Sequence, residues 1–465
     1  MSSFSVVNSD SNVRPMLRLA IPALSEEMLV LMVTWTDWWL AGHFFQADGD
    51  ATKAAMSLMA YVMWLVPSMF AAVSIGATAL VARWVGAGQG DLAKRTCNQA
   101  FLLGTLFSGT LFVLAILFGP QFIELMQLKD EAAVFANRYF AVVMWCIPLV
   151  MFSQVGAACL RGAGDMVTGF VTKLIVVFTN IFLSFSLVTG WGPMPELGWE
   201  GLAVGTAVGH GLGGLIILAV LIRGRAGLKL TLPDLKPDFS VVGKILKIGI
   251  PGGLDIGTLL FSQLIFLALI NALGTGAAAA HGLAVQIEAA CFLPGAAFQV
   301  AATTMAGQFL GANMPQRATY STLWSLAIGG TIMCTAGLVL LFFGHYFAYF
   351  FTGSWDDPTT TKVAELLRVI SCVMPFLATV MILTGGLRGA GDTVWPLLFT
   401  AIGFILIRIP LAAFLSFDTM PFAENISGLG WGVLGAWVAM SVDVAIRSLM
   451  VLTRFWNGGW KQIKV

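Results

Sequence analysis

Long apolar runs, broken by short polar connections, organise the whole chain. A membrane-crossing helix needs about 20 mostly apolar residues. On that measure twelve segments qualify, near 17–42, 54–82, 97–120, 136–160, 166–190, 199–223, 244–272, 277–310, 319–351, 363–387, 394–417 and 431–454. None shows the strict alternation of a membrane β-strand, so an all-α integral membrane fold of twelve transmembrane helices is expected. The longest internal connection carries Leu232-Pro233-Asp234 and falls half-way along the chain.

Composition narrows the class further. The chain is 58% hydrophobic and 11% charged, against about 25% charged in a soluble domain. Soluble enzymes, nucleic-acid binders and disordered scaffolds are excluded together. The first 14 residues are polar and hold no apolar core before a small-residue cleavage site, so no signal peptide is expected. Six cysteines lie singly in apolar segments without C-x-x-C spacing, and four histidines are dispersed, so neither disulfides nor a metal site is expected. Net charge is uninformative, but its placement is not. With the N-terminus inside, seventeen Lys and Arg fall in inner connections and five in outer ones. Both termini are therefore expected to be cytoplasmic, in a plasma (inner) membrane.

The chain repeats itself. Leu160-Arg161-Gly162-Ala163-Gly164-Asp165 returns as Leu387-Arg388-Gly389-Ala390-Gly391-Asp392, 227 residues later. The segment from Leu17 to Pro22 is matched by that from Leu246 to Pro251, Pro67 by Pro294, and Leu197-Gly198-Trp199 by Leu429-Gly430-Trp431. Six spans are thus duplicated in parallel. The expected organisation is an N-terminal six-helix lobe at 1–225, a cytoplasmic linker at 226–243, and a C-terminal six-helix lobe at 244–465. Parallel repeats about an axis along the membrane normal are a recurrent transporter plan.

On these motifs the chain resembles the multidrug and toxic compound extrusion (MATE) family of cation-coupled antiporters. Further carriers are Gln286-Ile287-Glu288 followed by Pro294, Gln308-Phe309-Leu310-Gly311-Ala312, and Arg408-Ile409-Pro410 in the eleventh span. The resemblance implies two six-helix lobes around a V-shaped cleft. It also implies export of organic, often cationic and amphipathic compounds against protons or sodium ions, by alternating access.

Ionisable groups inside spans are costly and functional by default. Asp37 stands about 20 residues into the first span, in its outer half, among Trp35, Trp38 and Trp39. Asn180 and Ser184 share one face of the fifth span, and Thr206 lies about two turns into the sixth. Depth alone brings these four together, and the resemblance makes Asp37, Asn180 and Thr206 a cation-coupling site. Members with this site commonly carry a second Asp where this chain has Ser184. That loss of charge favours protons over sodium as the coupling ion. Further acidic candidates are Glu26 and Glu27 near the inner end of the first span, Asp255 in the seventh and Glu288 in the eighth. Gln154, Gln263 and Gln286 are candidates for the substrate cleft. Arg408, Asp443 and Arg447 are expected to form a structural ion pair.

The expected function is a secondary multidrug exporter with small organic substrates, working as a monomer in the lipid bilayer, without nucleic acid or cofactor. The alternatives are a lipid-linked saccharide or lipid flippase of the same superfamily, and an ion channel. A flippase would line its cleft with several cations for pyrophosphate, and a channel would need a filter sequence or charge ring. No nucleophile–base constellation suggests an enzyme, and a Walker motif for ATP is missing.

Overall fold

The computed structural model describes residues 6–9, 11–44, 49–125, 130–421 and 423–463. In chain order the helices are α1 (Val13–Phe44), α2 (Gly49–Met69), α3 (Ala71–Gly86), α4 (Gly90–Leu125), α5 (Asp130–Val143), α6 (Ile147–Gly162), α7 (Met166–Thr189) and α8 (Trp199–Arg223). There follow α9 (Phe239–Ala272), α10 (Thr275–Gly311), α11 (Pro315–Thr352), α12 (Pro358–Ser371), α13 (Met374–Gly389), α14 (Val394–Ala401), α15 (Ile409–Ser416) and α16 (Gly432–Trp456). A π-helical turn, Ile402–Arg408, joins α14 to α15. A short antiparallel hairpin pairs Thr419–Met420 with Ala423–Ser427.

Among the described residues nine helical stretches are long and apolar enough to cross a membrane, and two bent pairs raise this to eleven. Helix α1, with 32 residues, is the twelfth long element. Every expected span lies on one of these to within a residue. The bends have local causes. Pro67 sits just before the 41° break between α2 and α3, and Pro375 just after the 55° break between α12 and α13. A proline has no N–H to continue the helical ladder.

Two compact units result. Residues 21–253 form the first, and residues 6–20 with those from Leu254 onward form the second. The segment expected as a linker, 226–243, thus lies inside the first unit. Its backbone is satisfied by two amides of α4. Asn98 donates to the Lys229 carbonyl and accepts from Thr231 N–H, each at 2.9 Å. Gln99 donates to the carbonyls of Asp234 and Lys236 at 2.8 Å and accepts from Asp238 N–H at 2.9 Å. Lys94–Asp234 (2.7 Å) and Arg95–Asp238 (2.9 Å) add ion pairs at its surface. Lys94 also holds the Asp234 carboxyl below its ordinary range by a direct hydrogen bond, with help from the Thr231 hydroxyl. In the second unit, Val6 N–H donates to Gln308 Oε1 at 2.9 Å and Arg317 clasps the carbonyls of Val7 and Ser9. The apolar core of that unit gathers around Phe266, Met333, Met374 and Trp437.

The duplication shows in ion pairs built twice. Arg161, in the first Leu-Arg-Gly-Ala-Gly-Asp copy, faces Glu26 at 4.0 Å; Arg388, in the second, donates to Asp255 at 2.5 Å. Glu26 follows Pro22 by four residues and Asp255 follows Pro251 by four. Asp165 pairs with Arg225 at 2.8 Å and caps α7 by accepting from Thr168 N–H at 3.1 Å. Its counterpart Asp392 pairs with Arg454 at 2.8 Å.

Candidate functional site

Four helices of the first unit, α1, α5, α7 and α8, carry the site. Helix α8 supplies Thr206, whose hydroxyl oxygen accepts from Asn180 Nδ2 of α7 at 3.1 Å and from Tyr139 OH of α5 at 3.2 Å. All three side chains are buried. Close approach of α7 and α8 makes this possible. A methyl group on Gly205 would stand 2.2 Å from Ser184 Oγ, and one on Gly209 would stand 3.2 Å from Asn180 Cβ. Small residues at such a crossing let two membrane helices meet backbone to backbone.

Asp37 of α1 is also buried, at 6% exposure, and lies within electrostatic reach of Tyr139. The site is poor in donors. Asp37 Oδ1, Asn180 Oδ1 and Ser184 Oγ are buried and find no hydrogen-bond partner among the described residues. A buried oxygen without a donor is costly. A proton on the carboxylate or a small cation among these oxygens would relieve it.

Depth arithmetic named Asp37, Asn180, Ser184 and Thr206 but missed Tyr139. The same arithmetic places Tyr139 at the outer start of the fourth span, where a tyrosine reads as an interfacial anchor. Trp199 holds it in place, packing its ring 6.0 Å from that of Tyr139 while donating to the Phe135 carbonyl at 2.9 Å. Trp39 is exposed, and the side chains of Trp35 and Trp38 lie outside the described residues.

The other acidic candidates are placed elsewhere. Glu26 and Glu27 are half-buried, with Arg161 and Lys173 within electrostatic reach of Glu27. Asp255 is buried and committed to Arg388. Gln154 is half-buried in the first unit, while Gln263 and Gln286 are exposed in the second.

In the second unit, Asp443 is fully buried between two arginines. Its Oδ2 accepts from Arg408 Nε at 2.9 Å and from Arg447 Nη2 at 2.9 Å, and its Oδ1 from Arg447 Nε at 2.8 Å. Both guanidinium groups lie over the Phe404 ring, at 3.9 Å for Arg408 and 4.7 Å for Arg447. Glu288 lies within electrostatic reach of Arg408.

Comparison with known proteins agrees with this architecture. The MatE family profile matches residues 22–186 and 254–414. The chain is 26% identical to the probable multidrug resistance protein NorM of Thermotoga maritima, over 97% of this chain and 93% of that one. It is 24% identical to the multidrug resistance protein MdtK of Pectobacterium atrosepticum, over 95% and 94%. Among solved structures, an outward-facing multidrug resistance MATE family transporter of the MOP superfamily shares the fold with a TM-score of 0.87, 18% identity and 99% coverage of both chains. A MOP superfamily transporter from Pyrococcus furiosus gives 0.88 at 18% identity, with 100% of both chains covered. The protein is a multi-pass membrane transporter rather than an enzyme, and it belongs to the MatE family.

Proposed function

We propose that the protein exports organic, often cationic and amphipathic compounds in exchange for protons, by alternating access, with both termini cytoplasmic. The names of its NorM and MdtK relatives support drug export. One observation carries the coupling site: three buried oxygens, on Asp37, Asn180 and Ser184, find no donor among the described residues, in a unit whose other buried polar groups are largely paired. A protonated Asp37 is a donor as well as an acceptor, whereas the carboxylate only accepts. Loading and unloading one proton therefore changes which hydrogen bonds α1 can make to its neighbours. With Ser184 in place of a second carboxylate, the site holds one acidic group, which favours the proton over sodium. The seventeen-to-five distribution of basic residues supports the orientation.

The test is ethidium export from proteoliposomes under an imposed proton or sodium gradient. Wild type should run on the proton gradient, and Asp37→Asn should lose at least 90% of that rate while keeping its fold. Export by Asp37→Asn at the wild-type rate would sink the assignment. Transport on sodium alone would replace the coupling ion, and no ethidium movement under either gradient would favour a flippase.

A further inference from the structure

The two halves can be placed in register from their own anchors, and the register leads to Arg408. Asp37 stands fifteen residues after Pro22, and the residue fifteen after Pro251 is Phe266. Asn180 stands fifteen residues after the helix-capping Asp165, and Arg408 stands sixteen after Asp392. The extra residue lies within the π-helical turn Ile402–Arg408. An i→i+5 turn takes up one residue more than an α-turn, so Arg408 comes to the place of Asn180. Both anchors are secured by the duplicated ion pairs at Glu26 and Asp255 and at Asp165 and Asp392.

The first unit places Asp37 within electrostatic reach of Tyr139, which shares the Thr206 hydroxyl with Asn180; the second sets Phe266 against Arg408. The guanidinium lies 5.7 Å from the Phe266 ring, a cation on an aromatic face. Gly403, inside the π-turn, leaves the room this needs, since a methyl group there would stand 2.2 Å from Asp443 Oδ1. Asp443 and Arg447 come from α16 and Glu288 from α10, with Cys291 and His281 the other titratable groups on that helix. His281 Nδ1 is occupied by the indole N–H of Trp437 at 3.1 Å. Asp443 thus pairs with both Arg408 and Arg447, and Glu288 lies within electrostatic reach of Arg408. With two guanidinium groups sharing one carboxylate, an added cation would meet uncompensated positive charge in a buried setting.

We infer that Arg408 is a tethered cation, fixed at the second unit's counterpart of the coupling site, so that each transport cycle exchanges one coupling cation, through the first unit alone. This rests on the reading of Asp37 as the coupling group. It makes Arg408 a positioning residue, because its charge takes the place of an exchangeable one.

The experiment counts driving cations per ethidium in proteoliposomes, from the gradient that just brings net ethidium flux to zero. Wild type should give one, and Arg408→Lys, which keeps the charge, should give one. Glu288→Gln should also give one. A count of two in wild type, or a count that falls when Glu288 is neutralised, overturns the inference, and neither depends on a variant at Arg408 folding. Asp37→Asn separates the two readings. If it is inactive while wild type counts two, only the tethered-cation inference fails. If it exports as wild type does, both fail.

Discussion

Asp255 and Arg388 are held 2.5 Å apart with side-chain exposures of only 3% and 16%, while Glu26 and Arg161, at the same positions of the first repeat, stand 4.0 Å apart at 23% each. The repeated pair is tight and buried in one copy and looser and half-buried in the other. Removing one partner of a buried pair strands its charge and costs about 3–5 kcal/mol, whereas a partly exposed pair contributes about 0–1 kcal/mol. Asp255→Asn should therefore lower the unfolding midpoint of the detergent-solubilised protein sharply, and Glu26→Gln should leave it nearly unchanged. Equal midpoints for the two variants would contradict this difference.

Tyr139→Phe keeps the ring and removes one donor to Thr206. The loss of a neutral hydrogen bond costs about 0.5–1.5 kcal/mol, equivalent to at most about tenfold in an equilibrium constant. The apparent cation affinity in gradient-driven ethidium export should shift by up to that factor, with maximal rate and folding retained. An unmoved cation dependence would remove Tyr139 from the site.

Gly205 fixes the spacing of α7 and α8. A methyl group there would stand 2.2 Å from Ser184 Oγ and 2.8 Å from its backbone nitrogen, so rotation of one side chain cannot relieve the clash. Overpacking of this kind costs about 1–3 kcal/mol. Gly205→Ala should lower the unfolding midpoint and depress transport, while Gly257→Ala, with nothing within 4 Å of the added atom, should do neither. Wild-type stability and transport in Gly205→Ala would show that the two helices yield without consequence.

Much of this was legible in the sequence, for identifiable reasons. Apolar run length marks membrane helices directly, and span depth is a ruler, so Asp37, Asn180, Ser184 and Thr206 could be brought to one level without coordinates. Tyr139 escaped because a tyrosine near a span end has an ordinary interfacial use. Asp255 reads from the sequence only as an acidic candidate in the seventh span, although its match to Glu26 through the proline anchors pairs it with the motif arginine. The π-turn has no hydropathy signature. Its only trace is that Arg408 stands one residue farther from Asp392 than Asn180 does from Asp165. Residues 226–243 read as a cytoplasmic linker, and polar sequence does not reveal that Asn98 and Gln99, more than a hundred residues earlier, satisfy its backbone.

That docking can be tested with proteases. Gln99→Ala removes three hydrogen bonds to the segment, those to the Asp234 and Lys236 carbonyls and from the Asp238 amide. Water replaces part of the loss, so local opening should become easier by about 2 kcal/mol, some ~30-fold in the open population. Trypsin cuts after Lys229 only when the segment is open, the Lys236–Pro237 bond being resistant, so nicking at Lys229 in Gln99→Ala should accelerate by about that factor at neutral pH. The Lys94–Asp234 pair is half-buried at the surface and should act differently. Because the folded-state pKa of Asp234 is depressed, its contribution is present above the ordinary carboxyl value and is lost as pH falls below it. Pepsin nicking of the wild type should therefore rise as pH drops below about 4. Asp234→Asn should flatten that rise and change little at neutral pH. A segment cut equally fast in wild type and Gln99→Ala would show that the amides of α4 do not hold it.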